Sequence, residues 1–312
     1  MTVVVVVGPL RERAGGCLAA LLAEAGAGPL EVLLVDTAPD APPVPGAGDA
    51  VVRVLEVPGG GTFGALRARA VAEARAPVVA FVEEHVRVRP GWASALVAAH
   101  REAWAAVGAV AENANPGVGR SDVNGLMSYG LFYPPATRGE VAVLPGNNSS
   151  FKRDVLLSYG PRLAGLLAND NTLFAVLRRD GYRLLLEPQA VFGHLNETTL
   201  ASAARGYFFY HRCYGPGRAR ELGWGPCRRA AYVALAPLIP FYFAVRFGRL
   251  LARRRSPLLG TFLRGLPHVL AAQLAAACGQ AVGLVRGPGD AEVRFTRYEL
   301  SEPRPTVDGG RR

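Results

Sequence analysis

Hydrophobic positions along the first two-thirds of the chain fall into short solid runs separated by longer mixed stretches. Residues 3–7 are five consecutive valines closed by Gly8-Pro9, the pattern of a buried strand and its exit turn. A run from about Gly16 to Ala25 predicts a helix ended by Gly26 and Gly28. Glu31–Asp36 predicts a second strand with an acid at its carboxyl end, and proline and glycine at 39–48 mark a loop. Val51–Val57 predicts a third strand. Pro58-Gly59-Gly60-Gly61-Thr62 then leads into an alanine- and arginine-rich helix ending near Ala76. Pro77 opens the strand Val78–Val82, which runs into Glu83-Glu84-His85, and a helix over Trp92–Trp104 and a strand around Val107–Ala111 follow.

Residues 112–140 are rich in Asn, Gly and Pro and predict a long irregular insert, after which Val141–Leu144 predicts a short strand. Pro145 to Ser150 is a polar turn before a basic helix start at Lys152-Arg153-Asp154. Asn169-Asp170-Asn171 precedes an amphipathic helix to Arg179, closed by Asp180-Gly181; Tyr182–Leu186 predicts another strand, with Pro188, Val191, Phe192 and His194 beyond it. Strand–helix alternation with short apolar runs implies an α/β domain with a mostly parallel sheet covered on both faces. Ligands of such sheets gather at the carboxyl ends of the strands, which puts Gly8, Asp36, Gly59–Gly61 and Glu83–His85 around one crevice.

Charge changes the picture beyond residue 200. Residues 1–220 carry 21 Arg/Lys against 19 Asp/Glu, whereas from Arg205 to Arg264 there are 12 arginines and one acid, Glu221. So local a basic segment implies a polyanionic partner. Two apolar runs lie there: Ala231–Val245, which contains Pro237 and Pro240, and Leu266–Val285, without a formal charge. The expected organisation is an α/β domain over 1–220, an amphipathic or membrane-associated helical region over 221–290 and a polar tail over 291–312. The helical region is expected as a basic, apolar attachment rather than a second core. A transmembrane hairpin would hold its arginine-rich connection in the cytoplasm and push the α/β domain out. Interfacial or re-entrant helices against anionic headgroups avoid this, and a soluble helical subdomain is the alternative. No helix-turn-helix, zinc knuckle or stacking platform is evident, so nucleic acid is not expected as a partner. Met1-Thr2 followed directly by valines has no basic leader, and the four cysteines follow no disulfide or metal spacing; both place the α/β domain in the cytoplasm.

Several polar residues stand where chemistry is expected. Glu83 and His85 are alternate residues leaving a buried strand, so they point the same way and could share one ion; a solvated strand end is the bland reading. Asp36 could accept from a ribose or a base, or cap a turn. Gly59-Gly60-Gly61-Thr62 is either a phosphate cradle or a plain tight loop. Asp170 could be a helix N-cap, and His194 a hydrogen-bonded core histidine.

Taken in order, the valine strand, the Asp ending strand two, the Gly-rich turn into an Arg/Ala helix, and Phe81-Val82-Glu83-Glu84-His85-Val86-Arg87-Val88-Arg89-Pro90-Gly91-Trp92 resemble a family-2 type glycosyltransferase with a GT-A fold, in its bacterial, membrane-associated form. Leu144-Pro145-Gly146-Asn147-Asn148-Ser149-Ser150-Phe151 is similar to that family's acceptor-side segment. Asn169-Asp170, Gly181-Tyr182-Arg183-Leu184, Pro188 and His194 are similar to its catalytic helix and distal histidine. The resemblance spans roughly residues 2–200. It implies that Asp36, Arg69 and Glu84 contact the donor, with Ala70 in place of the usual Asn after Arg69. It implies that Glu83, His85 and His194 hold a divalent metal, and that Asp170 is the general base, with Asn169 replacing the preceding acid. A Glu/His set favours Mn2+ over Mg2+. The implied reaction is inverting displacement on a nucleoside-diphosphate sugar by the hydroxyl of a glycan, lipid-linked or small-molecule acceptor, at the cytoplasmic membrane face. A non-catalytic nucleotide-sugar-binding homologue is the alternative. A dinucleotide oxidoreductase would need G-x-G-x-x-G after strand one, and Gly8-Pro9-Leu10-Arg11 is not that.

Overall fold

The computed structural model describes residues 1–25 and 30–306. The expected helix-ending glycines Gly26 and Gly28 lie outside the described residues. In chain order the elements are β1 (Thr2–Val7), α1 (Arg11–Glu24), β2 (Glu31–Asp36), β3 (Val52–Glu56), α2 (Phe63–Glu73), β4 (Val78–Glu83), β5 (Val86–Val88), α3 (Trp92–Ala99) and β6 (Ala106–Asn113). Then follow α4 (Ser121–Tyr129), β7 (Gly139–Glu140), β8 (Ser149–Lys152), α5 (Arg153–Leu157), α6 (Leu163–Leu167), α7 (Asp170–Arg179) and β9 (Leu184–His194). The last third is helical: α8 (Leu200–Glu221), α9 (Pro226–Ala234), α10 (Ile239–Arg253), α11 (Leu259–Arg264), α12 (Leu266–Arg286) and α13 (Ala291–Ser301).

Two compact units result: residues 1–114 with 132–194, and residues 115–131 with the chain from Leu195 onward. The first is the α/β unit. Its sheet runs β3-β2-β1-β4-β8-β6-β9-β5, with β7 added on β9. The side that contains β1 to β4 is parallel, as the solid valine and leucine runs require. Beyond β4 the sheet is mixed, because β8 is antiparallel to both β4 and β6, and β5 and β7 are antiparallel to β9. The chain order reverses between β1 and β4, which creates a crevice at the carboxyl ends of those two strands.

Three local expectations are corrected. The helix after Gly91 stops at Ala99 rather than Trp104, and Trp104 turns its ring under the Arg183 guanidinium, 4.3 Å from the ring centre. The strand expected at Val141–Leu144 is absent; pairing with β9 is made by Gly139 and Glu140, while Leu144 and Pro145 pack over Gly108. A Cβ at Gly108 would meet Pro145 at 2.6 Å, so only glycine admits this crossing. The insert expected to be irregular carries α4, which buries Val123 and Leu126.

The helical unit has a core of its own, contrary to an attachment without one. Val123, Leu126, Phe247, Leu251, Phe262 and Val269 are buried together. Helices α8 and α12 approach backbone to backbone at Gly279 and Gly283, where an added Cβ would lie 2.2 Å from the Phe208 and Arg212 carbonyl oxygens. The division expected at residue 220 is likewise displaced, since all of α8 belongs to this unit. Of the expected polar tail, Ala291–Ser301 folds as α13, and beyond it Arg304 is buried, donating to Glu197 at 3.2 Å and to the Leu195 carbonyl at 3.0 Å; residues 307–312 lie outside the described residues.

Candidate active site

β4 delivers Glu83 at its last position, and the chain turns through Glu84 and His85 before β5 begins. Strand β9 supplies the partner. It pairs with β6 across a bulge between Ala109 and Val110, and its final residues pair with β5 in a register that sets His194 opposite Val86. Two imidazoles 109 residues apart therefore meet: His85 Nε2 and His194 Nε2 are 2.9 Å apart, with the rings edge to face. Glu83 Oε2 lies 3.3 Å from His194 Nε2 and 3.7 Å from His85 Nε2.

Ligand atoms bonded to one cation at about 2.0–2.2 Å stand roughly 3.0–3.5 Å from each other. The Glu83, His85 and His194 ligand atoms, all within 4.8 Å of one another, match those spacings closely enough for one ion to bridge them. Two facing ring nitrogens cannot both carry hydrogen, so without a cation one must donate to the other. The donor set fits a divalent metal. Glu83 is held as an acceptor at both oxygens: Asn147 Nδ2 donates to Oε1 and Asn148 Nδ2 to Oε2, both at 2.9 Å. Both amides come from the polar turn between the Leu144–Pro145 crossing and β8.

Asp170 opens α7 but does not cap it. Asn169 caps, its side-chain oxygen accepting from the Thr172 amide and hydroxyl, each at 3.0 Å. The Asp170 carboxylate is left to lie against Gly146, where an added Cβ would stand 1.8 Å from Oδ2. Gly146 has a φ of +26°, so the close approach and the backbone both require glycine. Burial holds the Asp170 carboxyl above the ordinary carboxylate range, with Arg67 opposing and Glu83 adding to the rise. A carboxylate so placed is a better proton acceptor than a solvated one.

Arg67 is the site residue that the sequence reading missed. It is buried, it donates to Asn147 Oδ1, and its guanidinium sits 4.8 Å over the Phe63 ring. Arg69, the residue expected there, is exposed on the other side of α2. A legible signal existed, because Phe63, Leu66, Arg67, Ala70 and Val71 repeat at helical spacing and form the buried face.

The remaining candidates are tied into the scaffold. Asp36 takes two parallel bonds from Arg11, each 3.0 Å, and a third from the Ala38 amide at 2.9 Å. Glu84 is buried; it accepts from the Gly8 amide at 2.9 Å and pairs with Arg13, which joins the β1 exit to the end of β4. Burial raises its carboxyl against the opposing pull of Arg13. Glu83, His85 and His194 thus form one cluster, joined through Asn147 to Arg67, with Asp170 against the neighbouring Gly146. Asp36 and Glu84 line the β1 end of the crevice and Arg69 stands apart.

No protein-family model matches the chain, and no curated protein matches it by sequence. Among solved structures, the mannosyltransferase PcManGT from Pyrobaculum calidifontis in complex with GDP-Man and Mn2+ superposes over 88% of this chain and 86% of its own, with a TM-score of 0.51 at 16% identity. Mannosyl-3-phosphoglycerate synthase from Rubrobacter xylanophilus covers 72% and 75% at 16% identity and a TM-score of 0.49. GalNAc-T7 with UDP, GalNAc and Mn2+ matches 62% of this chain at 14% identity and a TM-score of 0.46, and the chain spans about two-fifths of it, 42%. The likeness to the mannosyltransferase, added to the strand order and the crevice, makes this an α/β chain of the GT-A-like fold with a helical C-terminal extension.

Proposed function

We propose that the chain transfers a sugar from a nucleoside-diphosphate donor to an acceptor hydroxyl, with inversion at the anomeric carbon. The observation that carries this is the convergence of Glu83, His85 and His194 on one point beside a carboxylate, Asp170, that has no structural duty as a cap. The mannosyltransferase of similar fold holds GDP-Man and Mn2+. Glu83, His85 and His194 would hold the divalent ion, and two imidazoles with one carboxylate suit Mn2+ better than the harder Mg2+. The ion would neutralise charge on the departing diphosphate. Asp36 and Glu84 are the candidate donor contacts, Asp36 sharing its oxygens with Arg11 and Glu84 with the Gly8 amide and Arg13, while Arg69, exposed on the other side of α2, stands apart from them.

Asp170 takes the proton from the acceptor hydroxyl as that oxygen bonds to the anomeric carbon. The bond from that carbon to the diphosphate oxygen breaks, and the nucleoside diphosphate leaves with both electrons. Asn147 and Asn148 orient Glu83, while Arg67 steadies Asn147 through its side-chain oxygen. The acceptor class is a glycan, a lipid-linked sugar or a small molecule, and the place of reaction is the cytoplasmic face of the membrane, with the helical unit peripheral or re-entrant. Among the described residues α12 alone is long and apolar enough for a single-helix span, and half of that stretch is already buried.

Incubation with a panel of UDP-, GDP- and TDP-sugars and Mn2+ tests the proposal. Release of one nucleoside diphosphate, abolished by chelation and restored by Mn2+, is expected. Stability of every donor, with the protein folded, would overturn it.

A further inference from the structure

Helix α10 is apolar on two opposite faces, and among the described residues only one of them is packed into a core. Inward, Phe247 and Leu251 are buried in the core of the helical unit with Phe262 and Val269, and Phe243 packs against them. Outward, Leu235, Leu238, Phe241, Tyr242 and Val245 are each between 51 and 64% exposed. The last four repeat at three- and four-residue spacing, so they form one stripe, and Leu235 extends it through the bend to α9. Isolated exposed apolar side chains are ordinary, but five contiguous large ones mark a contact surface.

The flanks say what it meets. At one end of the stripe are Arg228 and Arg229, at the other Arg246, Arg249 and Arg253, all exposed. Between Glu221 and Asp290 there are nine arginines and no acid. Two of the five apolar residues are aromatic, and the Tyr242 hydroxyl lies 3.4 Å from Arg246 Nη1 at the polar edge. The α9 and α10 segments bend by 50° at Leu235, just before Pro237 and Pro240, which suits a pair lying along a surface rather than a straight span.

We infer that the bent α9–α10 pair is the membrane-docking surface: the 235–245 stripe enters the acyl boundary of a bilayer and the bracketing arginines engage anionic phospholipid headgroups. The inference rests on the proposed membrane-face placement and goes further by assigning it to this surface. Helix α12, the more hydrophobic segment, is excluded from that role because His268, Gln273, Gln280 and its glycines are buried in the unit.

Co-sedimentation of the full chain with vesicles of phosphatidylcholine, alone or mixed with phosphatidylglycerol, is the test. Three proteins are compared: the native chain, Phe241→Ser with Tyr242→Ser, and a control with Leu274→Gln and Val285→Gln on the exposed face of α12. The native chain is expected to pellet with the mixed vesicles and not the neutral ones. The stripe variant, melting normally, is expected to lose about tenfold or more of that binding, and the control to keep it. A fourth protein, the charge variant Arg246→Glu with Arg249→Glu, is expected to lose it too. Equal loss in the control, or undiminished pelleting of the stripe variant, overturns this surface while the membrane placement stands. A native chain that stays in solution with every vesicle overturns both. Binding to single-stranded RNA but not vesicles, or self-association abolished by the stripe substitutions, overturns the lipid assignment. Nucleoside-diphosphate binding is measured alongside, so a failed donor reading is seen separately.

Discussion

Asp170 and Asn169 are neighbours with separable duties. Asn169 satisfies the first turn of α7, so Asn169→Ala should cost about 1 kcal/mol of stability, read by denaturant unfolding. Asp170→Asn removes no cap and should melt normally, yet lower transfer to a true acceptor by roughly 10²–10⁴-fold in a steady-state assay. A variant that transfers at the native rate would leave Asp170 without a catalytic part. The same contrast shows what was legible. The neighbourhood of both residues was found from the pattern of polar residues before an amphipathic helix, but which of the two caps depends on side-chain torsion rather than on residue type. Arg67 and Arg69 differ in another way: helical periodicity separates them, and only the resemblance to a family pattern directed attention to the outward one.

His100 and Ser150 link the end of α3 to β8, 2.9 Å apart and buried. Burial lowers the His100 pKa to about 4, with Lys152 adding to the effect. An unfolded chain therefore binds this proton first. The stabilising contribution is complete above pH 6.5 and lost as the pH falls toward 4, up to about 3 kcal/mol across that window. His100→Gln should flatten this part of the stability profile in unfolding experiments between pH 7 and 4; an unchanged slope would assign it elsewhere. In the helical unit, Gly283→Leu forces a side chain into the Arg212 carbonyl and should destabilise the α8–α12 pair by about 1–3 kcal/mol, seen as earlier loss of helix on heating. Strands β1, β2 and β4 were readable because each has a solid apolar run at its centre, and β3 by its β-branched residues closed by the Gly-rich turn. The pairing of β9 with β5 was not, since His194 reaches His85 through a bulge and a register between segments 109 residues apart. Periodicity encodes which face a residue takes, not which distant strand it joins.

Across the whole chain, the basic stretch from Arg205 pointed to a change of character, but the division was expected at residue 220; the unit that begins at Leu195 and includes the inserted α4 follows from packing that a linear scan of composition does not see. The α/β unit gathers a carboxylate and two imidazoles at strand ends, and the proposed sugar transfer depends on their holding a divalent ion against a nucleoside diphosphate. Calorimetric titration of UDP, GDP and TDP into the native chain and into His194→Ala, each with and without Mn2+, tests this most directly. The native chain should bind one of the three only, or far more tightly, with Mn2+. His194→Ala, still folded, should lose that metal-dependent part by at least about tenfold, since even outer-shell losses at metal sites cost that much. Failure of every nucleotide to bind the native chain, or identical Mn2+-dependent binding by His194→Ala, would contradict the account.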